Sequence, residues 1–366
     1  MDNRIKTLVI FLFAIAVLVG CENNGESGSS SNKPKARGSL GEILLVIDSA
    51  KYAGPVGEEL RDIFEANIPG IIREESLFYV RKVDPRKLTR ILKMANNMVY
   101  VTTFDDTKPG SRTINSQFTP ESKEMAMEDP SLFMLRNKDE FAVGQEVLYL
   151  FGENEKELIQ NLRANKSQLQ NLFIGRERDR LAKALFNRKN SEAAVKSAEK
   201  FGMTLNLPAS YQFVLEADDF LWYRQPTPRT DKPDISLFFY QTAYTDEEQV
   251  FPENIIKLRD TIAKEHIFGD PRKKESFLVT ERLEPPVFKN VQIDGKYSVE
   301  MRGAWKTNNL SMGGSFLSYT VVDEVQGKIF YMEGFVYYPN EAHRASLREI
   351  ETILNATSFP AKAEEK

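Results

Sequence analysis

The spacing of the apolar residues changes near residue 203, and this change limits the folds that the chain can adopt. From about Gly41 to Thr103, apolar runs and amphipathic stretches alternate in the order strand, helix, strand, helix, strand. From Met203 onward, apolar residues follow strand spacing in segments separated by turn residues. The first pattern predicts a layered sheet covered by helices, and the second predicts a mostly antiparallel sheet with flanking helices. The sequence therefore predicts an α+β protein with two folded regions.

The first region opens with an apolar run at 43–47, which is typical of a strand buried on both faces. The elements predicted after it are a helix that Gly54-Pro55 opens and Pro69-Gly70 ends, a strand at 77–83, a helix that starts at Asp84-Pro85 and a strand at 98–103. The turn at 48–55 matches neither G-x-G-x-x-G nor G-x-x-x-x-G-K-[ST], so no nucleotide site is expected in it.

A long irregular segment is predicted at 104–140. It contains the pair Asp105-Asp106, a candidate for cation binding. Calcium needs about six or more oxygen ligands at regular spacing, and no such spacing follows. A solvated loop is the favoured interpretation.

A further strand is predicted at 146–151. Helical spacing then predicts a helix at 155–173, capped by Asn154, and another at 176–200. Between Arg163 and Lys189, eight basic residues accompany two acidic ones. One interpretation is a surface that faces anions, such as lipid head groups, lipopolysaccharide or an acidic partner. The favoured one is a solvated helical face whose partners are glutamates elsewhere.

The second region is rich in strands. The predicted strands are 211–215, 220–224, 235–240, 277–280, 297–302, 316–323 and 328–337, and the predicted helices are 252–266 and 340–354.

The N-terminus has the features of a signal peptide. Arg4 and Lys6 precede twelve apolar residues at 8–19, which end at Gly20-Cys21. A helix of that length spans about 18 Å, well short of the ~30 Å hydrocarbon core of a bilayer. Cys21 is the only cysteine, and its position resembles the lipobox of bacterial lipoproteins, whose processed cysteine carries acyl chains. A plain secretory signal with an accidental cysteine is the alternative.

These observations divide the chain into six segments. They are a signal peptide at 1–20, a flexible lipid-anchored tether at 21–40, an N-terminal α/β region at 41–175, a linking helix at 176–200, a C-terminal α+β region at 201–360 and a tail at 361–366. The resemblance to lipoproteins implies a location in the cell envelope, with the outer membrane favoured and the leaflet open. Glu22 and Glu26 weakly resemble the surface-export signal of Bacteroidota lipoproteins.

Several short strings resemble the Bacteroidota lipoproteins grouped as domain of unknown function 4837. They are Asp219-Phe220-Leu221-Trp222, Leu258-Arg259-Asp260, Phe268-Gly269, Arg302-Gly303-Ala304-Trp305 and Met312-Gly313-Gly314. The resemblance covers nearly the whole mature chain and implies no catalytic residues. Ser315 departs from the proline that such proteins commonly carry. The C-terminal region also loosely resembles the PsbP/Mog1-like fold.

The segment 305–316 is the candidate ligand-binding wall. Gly313 and Gly314 permit positive φ angles or a close approach to a ligand, beside Trp305, Met312 and Phe316. Stacking planes are expected from Trp222 and Trp305, and anion contacts from Arg224 and Arg302. The same residues also suit the corner of a hydrophobic core.

Composition restricts the chemistry. One cysteine and two histidines, His266 and His343, leave neither a thiol site nor a metal site to expect, and both histidines are expected at the surface. A net charge of -4 disfavours nucleic-acid binding. We expect a non-catalytic cell-envelope lipoprotein without a cofactor that binds an envelope protein or glycan. The alternatives are a cleft hydrolase that acts on glycan through two carboxylates, and a structural lipoprotein without a small ligand.

Overall fold

The structure is a computed structural model, and it describes residues 33–227, 231–270, 272–273 and 275–359. Over this part of the chain it confirms the α+β class, with a mainly parallel sheet followed by an antiparallel one. The signal peptide, Cys21 and the tail at 361–366 lie outside the described residues. Of the helices within them, none combines the length and apolar character needed to span a membrane.

The first sheet and its helices form what we call the α/β region. In chain order its elements are β1 (Glu42–Ile47), α1 (Ser49–Tyr52), α2 (Pro55–Phe64), β2 (Tyr79–Val83), β3 (Asn97–Val101), α3 (Pro109–Asn115), α4 (Pro120–Glu128), β4 (Met134–Lys138), β5 (Glu146–Leu150), α5 (Glu155–Ala164) and α6 (Lys166–Leu185). The strand order is β2-β1-β3-β5-β4, and only the edge strand β4 pairs antiparallel in the described sheet. Helices α2, α5 and α6 cover one face, and α3 and α4 cover the other, which explains why β1, β3 and β5 are apolar after their first residue.

Three predictions for this region were wrong. The segment 104–140 contains α3, α4 and β4. After Asp84 the chain forms only short 3₁₀ turns, because the Asp84 side chain binds the N–H of Arg86 and Leu88 is already extended. The linking helix expected at 176–200 is the second half of α6 and a separate helix, α7 (Ser191–Phe201), which Asn190 caps.

The antiparallel region starts at α7. Its further elements are β6 (Gln212–Ala217), β7 (Phe220–Gln225), β8 (Asp234–Ala243), α8 (Pro252–His266), β9 (Leu278–Thr280), β10 (Val287–Ile293), β11 (Lys296–Thr307), β12 (Gly313–Asp323), β13 (Lys328–Tyr337) and α9 (Arg344–Asn355). The described strands are ordered β10-β11-β12-β13-β8-β7-β6, and β9 pairs with β11. Helices α7 and α9 cover one face of this sheet, and α8 covers the other. Strand β10 was not predicted.

The loop between α2 and β2 joins the two regions. Ile68 and Ile71 on this loop are buried in the core beneath α9, and the N–H of Ile72 donates to Ser315 Oγ at 3.3 Å.

The last residues of the predicted tether are ordered against the α/β region. Arg37 N donates to the carbonyl of Met94 at 2.8 Å. The last residues of the predicted tether therefore pair with the α/β region.

Candidate functional site

Both tryptophans of the chain line one cavity at an end of the antiparallel sheet, on the face that α8 covers. The cavity has a volume of about 100 Å³. We call it the aromatic cavity, and its lining residues are Trp222, Arg224, Asp234, Ser236, Phe268, Gly269, Leu278, Trp305, Met312, Phe335 and Tyr337. Four of the eight ligand-binding candidates from the sequence, Trp222, Arg224, Trp305 and Met312, are among them.

Strand register explains this grouping. Trp222 and Arg224 are two positions apart in β7, so both side chains point to the same face. Their partners across the sheet are Phe238 and Ser236 in β8. Trp305 reaches the cavity from β11, and its indole packs edge-on against Phe335 with ring centroids 5.5 Å apart. The wall is thus assembled from strands that are distant in sequence.

The two indole N–H groups have different surroundings. Nε1 of Trp305 donates to the carbonyl of Val336 at 3.2 Å. Nε1 of Trp222 is buried and finds no acceptor within the described part of the chain. An unsatisfied buried donor costs about 1–3 kcal/mol, and because this nitrogen is buried beside the cavity, a ligand accepts its hydrogen bond only after the lining side chains move.

A charged pair and an exposed ring complete the cavity. Arg224 Nε donates to Asp234 Oδ1 at 2.7 Å, and the second guanidinium nitrogen binds the other carboxylate oxygen. The pKa of Arg224 lies above its ordinary value because its guanidinium donates to Asp234. Phe268 packs on Trp222 with ring centroids 4.9 Å apart and is 55% exposed. The cavity therefore combines apolar rings with a solvent-accessible pair of hydrogen-bonding groups.

Gly313 and Gly314 do not have the positive φ angles that were proposed for them, because both lie in β12. Gly314 instead permits close packing. A Cβ at this position would lie 1.9 Å from the carbonyl oxygen of Val336 and 2.7 Å from Nε1 of Trp305. The glycine thus shapes the wall by letting the Trp305 indole lie against the backbone.

Phe316 is completely buried and does not line the cavity. Its ring lies under the guanidinium of Arg259, with Cζ 4.1 Å from the ring centroid. Arg259 donates to both carboxylate oxygens of Glu333 at 2.9 Å. Phe316 is therefore part of a core corner, which is the alternative interpretation of this segment.

Arg302 also lies elsewhere. It is three positions from Trp305 in β11, and an odd offset in a strand places two side chains on opposite faces. Arg302 Nε donates to Glu300 Oε1 at 2.7 Å, and an Nη atom lies 3.3 Å from a carboxylate oxygen of Glu351 in α9. The sequence contained this information, because the strand period alone separates Arg302 from the tryptophan wall.

A serine and a histidine meet at the junction of the two regions. Ser315 Oγ lies 3.0 Å from Nδ1 of His343, and Nε2 of His343 lies 3.1 Å from the carbonyl oxygen of Tyr338. His343 is buried, so its predicted surface position was wrong. Ser315 is 0% exposed and its Oγ accepts the N–H of Ile72, so a substrate has no access to it.

The other histidine, His266, is half-buried and stacks on Phe220, with ring centroids 4.3 Å apart.

One charged cluster was missed in the sequence. It lies where the strand order of the parallel sheet reverses between β1 and β3, the usual ligand-binding position in such sheets. Lys51 Nζ is buried there, 3.0 Å from Thr103 Oγ1, 3.1 Å from Asp106 Oδ2 and 2.8 Å from Glu155 Oε1. Polar residues that follow parallel strands were the available signal. Within the described residues, no three His, Cys, Asp or Glu side chains form a metal-binding group.

The fold and the cavity define a two-region protein, with an α/β region joined to an antiparallel sheet that carries an aromatic cavity. Family models divide the chain at the same position. Residues 36–186 match Domain of unknown function (DUF8532), and residues 189–356 match Domain of unknown function (DUF4837). The DUF4837 match confirms the resemblance found in the sequence over residues 189–356, but not its predicted extent over nearly the whole mature chain, because residues 36–186 match a different family model. No curated protein matches the sequence.

Solved structures match less than half of the chain. A protein of Bacteroides thetaiotaomicron is 8% identical with a TM-score of 0.26, over 45% of this chain and 47%, about half, of that one. LpqN, described as involved in cell envelope biogenesis of Mycobacterium tuberculosis, is 14% identical with a TM-score of 0.27, over 43% of this chain and 83% of that one. The Ran-binding protein Mog1p of Saccharomyces cerevisiae is 11% identical with a TM-score of 0.26, over 42% of this chain and 85% of that one. Scores this low carry no inference about function.

Proposed function

We propose that the protein is a non-catalytic lipoprotein of the bacterial cell envelope that is anchored through Cys21 and binds an envelope glycan in the aromatic cavity. The observation that carries the binding proposal is the position of Trp222. Its ring lines the cavity, and its indole N–H has no acceptor among the described residues.

The chemistry of the lining favours a sugar ring. A pyranose has apolar C–H faces that pack on aromatic rings, and hydroxyl groups that donate and accept hydrogen bonds at its edge. The cavity supplies rings from Trp222 and Phe268, and the Arg224–Asp234 pair supplies a donor and an acceptor. Apolar walls with few polar groups are typical of small-molecule sites.

The carboxylates favour binding over glycan hydrolysis. Hydrolysis commonly uses two carboxyl groups about 5–9 Å apart, one of them protonated. Among the described lining residues, Asp234 is the single carboxylate, and Arg224 binds it. Burial by itself raises the pKa of Glu300 on the opposite face, but the charge and hydrogen bond of Arg302 outweigh this, so the pKa lies below its ordinary value. Such a group is a poor general acid.

Tryptophan fluorescence tests the binding proposal, because both tryptophans line the cavity. We expect peptidoglycan fragments to change the emission of the wild-type protein. Trp222→Phe keeps an aromatic ring but removes the N–H, so affinity should fall about twofold to tenfold. Trp305→Phe is the comparison variant: because the N–H of Trp305 already donates to Val336, its affinity should fall less than that of Trp222→Phe. It should cost about 1 kcal/mol of stability because Val336 loses its donor. Equal affinity of the wild type and Trp222→Phe would contradict the proposal.

Metabolic labelling tests the anchor separately. We expect the wild-type chain to incorporate radioactive palmitate and to sediment with membranes. Cys21→Ala should lose the label, since Cys21 carries the only thiol. Palmitate incorporation into Cys21→Ala would show that the anchor is elsewhere.

A further inference from the structure

A second cavity lies on the other face of the antiparallel sheet, where α9 meets the loop between α2 and β2. Its volume is about 210 Å³, and we call it the cationic cleft. Its charged lining residues in the described chain are Lys289, Arg302, Arg344 and Arg348, against Glu300 and Glu351. The lining thus has an excess of two positive charges.

The excess charge is carried by the two arginines of α9. Arg302 is neutralised by Glu300 and Glu351. Arg344 Nη1 donates to the carbonyl of Ser76 at 2.9 Å, and Arg348 donates to the carbonyl of Leu77. Within the described residues, neither guanidinium has a carboxylate within ion-pair distance.

The carboxylate of Glu75, at the start of α9, already accepts two backbone hydrogen bonds. Glu75 accepts the backbone N–H groups of His343 and Arg344, at 2.7 and 2.9 Å, and so caps the start of α9. Arg344 and Arg348 are four positions apart, so they share one helix face. Burial and the neighbouring charge of Arg344 lower the pKa of Arg348, and the more distant charges of Glu177 and Glu351 offset this only in part.

The remaining lining determines what kind of anion fits. Apolar side chains contribute to the cleft beside the cations, namely Ile68, Pro69, Leu77, Ile174 and Leu347. Amide groups that can bind hydroxyls come from Asn67, Gln170 and Asn171. The cleft therefore suits an anion that has an organic substituent.

We propose that the cationic cleft binds a phosphate monoester through Arg344 and Arg348. A phosphate monoester carries a charge of about −1.5 to −2 at neutral pH, which matches the excess of the lining. Guanidinium groups are well suited to binding phosphate oxygens, and two arginines on one helix face place two such groups at the cleft, one of them with a buried nitrogen, Nη1 of Arg348, that has no partner in the described chain. The inference is independent of the aromatic cavity and of the proposed glycan.

Calorimetric titration of the full chain tests this proposal. We expect glycerol 1-phosphate to bind more tightly than inorganic phosphate, and acetate to bind weakest. Arg344→Gln and Arg348→Gln should each weaken glycerol 1-phosphate binding about tenfold or more, because each removes a charged hydrogen bond. Arg282→Gln is the matched control, since it removes one positive charge outside the cleft and should leave the affinity unchanged.

Three results would overturn the proposal: no binding of either phosphate, equal affinity for acetate, or wild-type affinity in Arg344→Gln. The last variant keeps the test valid if Arg348→Gln fails to fold. Dihexanoyl phosphatidic acid distinguishes the source of the phosphate, because it presents the same monoester on a lipid. Tighter binding of this lipid than of glycerol 1-phosphate identifies a lipid head group, and the reverse identifies a soluble ester. Tryptophan fluorescence should not respond to any of these ligands.

Discussion

The candidate binding position of the parallel sheet is filled by protein side chains, whereas that of the antiparallel sheet is an open cavity. In the α/β region, the edge where parallel sheets usually bind ligands is filled by the ammonium group of Lys51, bonded to Thr103, Asp106 and Glu155. In the antiparallel region, the aromatic cavity is open, and the indole N–H of Trp222 has no acceptor in the described chain.

This difference shows that fold topology alone does not locate a binding site. The parallel sheet has the strand order that creates a crevice, but its side chains satisfy one another across it. The antiparallel sheet has no such crevice by topology. Its cavity exists because bulky rings from β7, β11 and β13 meet where β12 has glycine. The capacity to bind therefore depends on the side chains at the site and not on the strand order.

The largest effect on stability should come from removing the Lys51 ammonium group, which fills the edge of the parallel sheet between β1 and β3. Lys51→Met should lower the free energy of unfolding by about 3 kcal/mol, because it leaves the carboxylate of Asp106 buried without its cation. Lys156→Met is the matched control, since Lys156 is exposed in the same region. Urea unfolding at neutral pH measures both. A similar stability for the two variants would show that Lys51 is not an essential part of the packing.

A smaller effect should come from the wall of the open cavity. Gly314→Ala should cost about 1–3 kcal/mol, because the added methyl group overlaps the carbonyl of Val336 and displaces the Trp305 indole. Gly313→Ala is the control, since its Cβ would lie 3.1 Å from the carbonyl oxygen of Trp305. Thermal unfolding and tryptophan emission measure the two effects together. If Gly313→Ala proves the more disruptive, Gly314 does not shape the wall.

The smallest effect should be a pH dependence of stability that arises from Asp106, the partner of Lys51 at the edge of the parallel sheet. Burial by itself raises the pKa of Asp106, but the N–H of Lys108, the Ser111 hydroxyl and the Lys51 ammonium outweigh it, so the pKa lies below its ordinary value of 3.8. A carboxyl group with a lowered folded pKa stabilises the fold above its unfolded pKa and loses that contribution as the pH falls through the folded pKa. Asp106→Asn should therefore be less stable than the wild type at neutral pH. That difference should shrink below about pH 4 in urea titrations. A difference that grows on acidification would contradict this assignment.

Much of the fold followed from local patterns. Apolar runs predicted β1, β3 and β5, and helical spacing predicted α2 and α8, because these signals need only neighbouring residues. The segment 104–140 was misread because α3 is only seven residues long and α4 carries little amphipathic signal, so tertiary packing decides their structure. Strand β10 was missed because most of its side chains are exposed or half-exposed at the sheet edge.

The site was predicted less completely. Trp222, Arg224, Trp305 and Met312 meet in one cavity, whereas Arg302 lies on the opposite face and Phe316 lies in the core. The strand period was enough to separate Arg302. It was not enough to show that Arg259 covers Phe316, because that contact joins β12 to a helix far away in sequence.

The sequence by itself determined the α+β class, the change from a helix-covered layered sheet to a mostly antiparallel one and the resemblance of residues 189–356 to DUF4837. It also marks Cys21 as the residue on which the proposed anchoring depends. These properties reside in short-range spacing and in strings of adjacent residues. Only the tertiary structure decided that Lys51 fills one sheet edge. It also decided that, among the described residues, the N–H of Trp222 has no acceptor and Arg344 and Arg348 have no carboxylate at ion-pair distance. The hydrogen-bond and ion-pair partners of a buried polar group come from distant parts of the chain, so a local sequence pattern does not predict them.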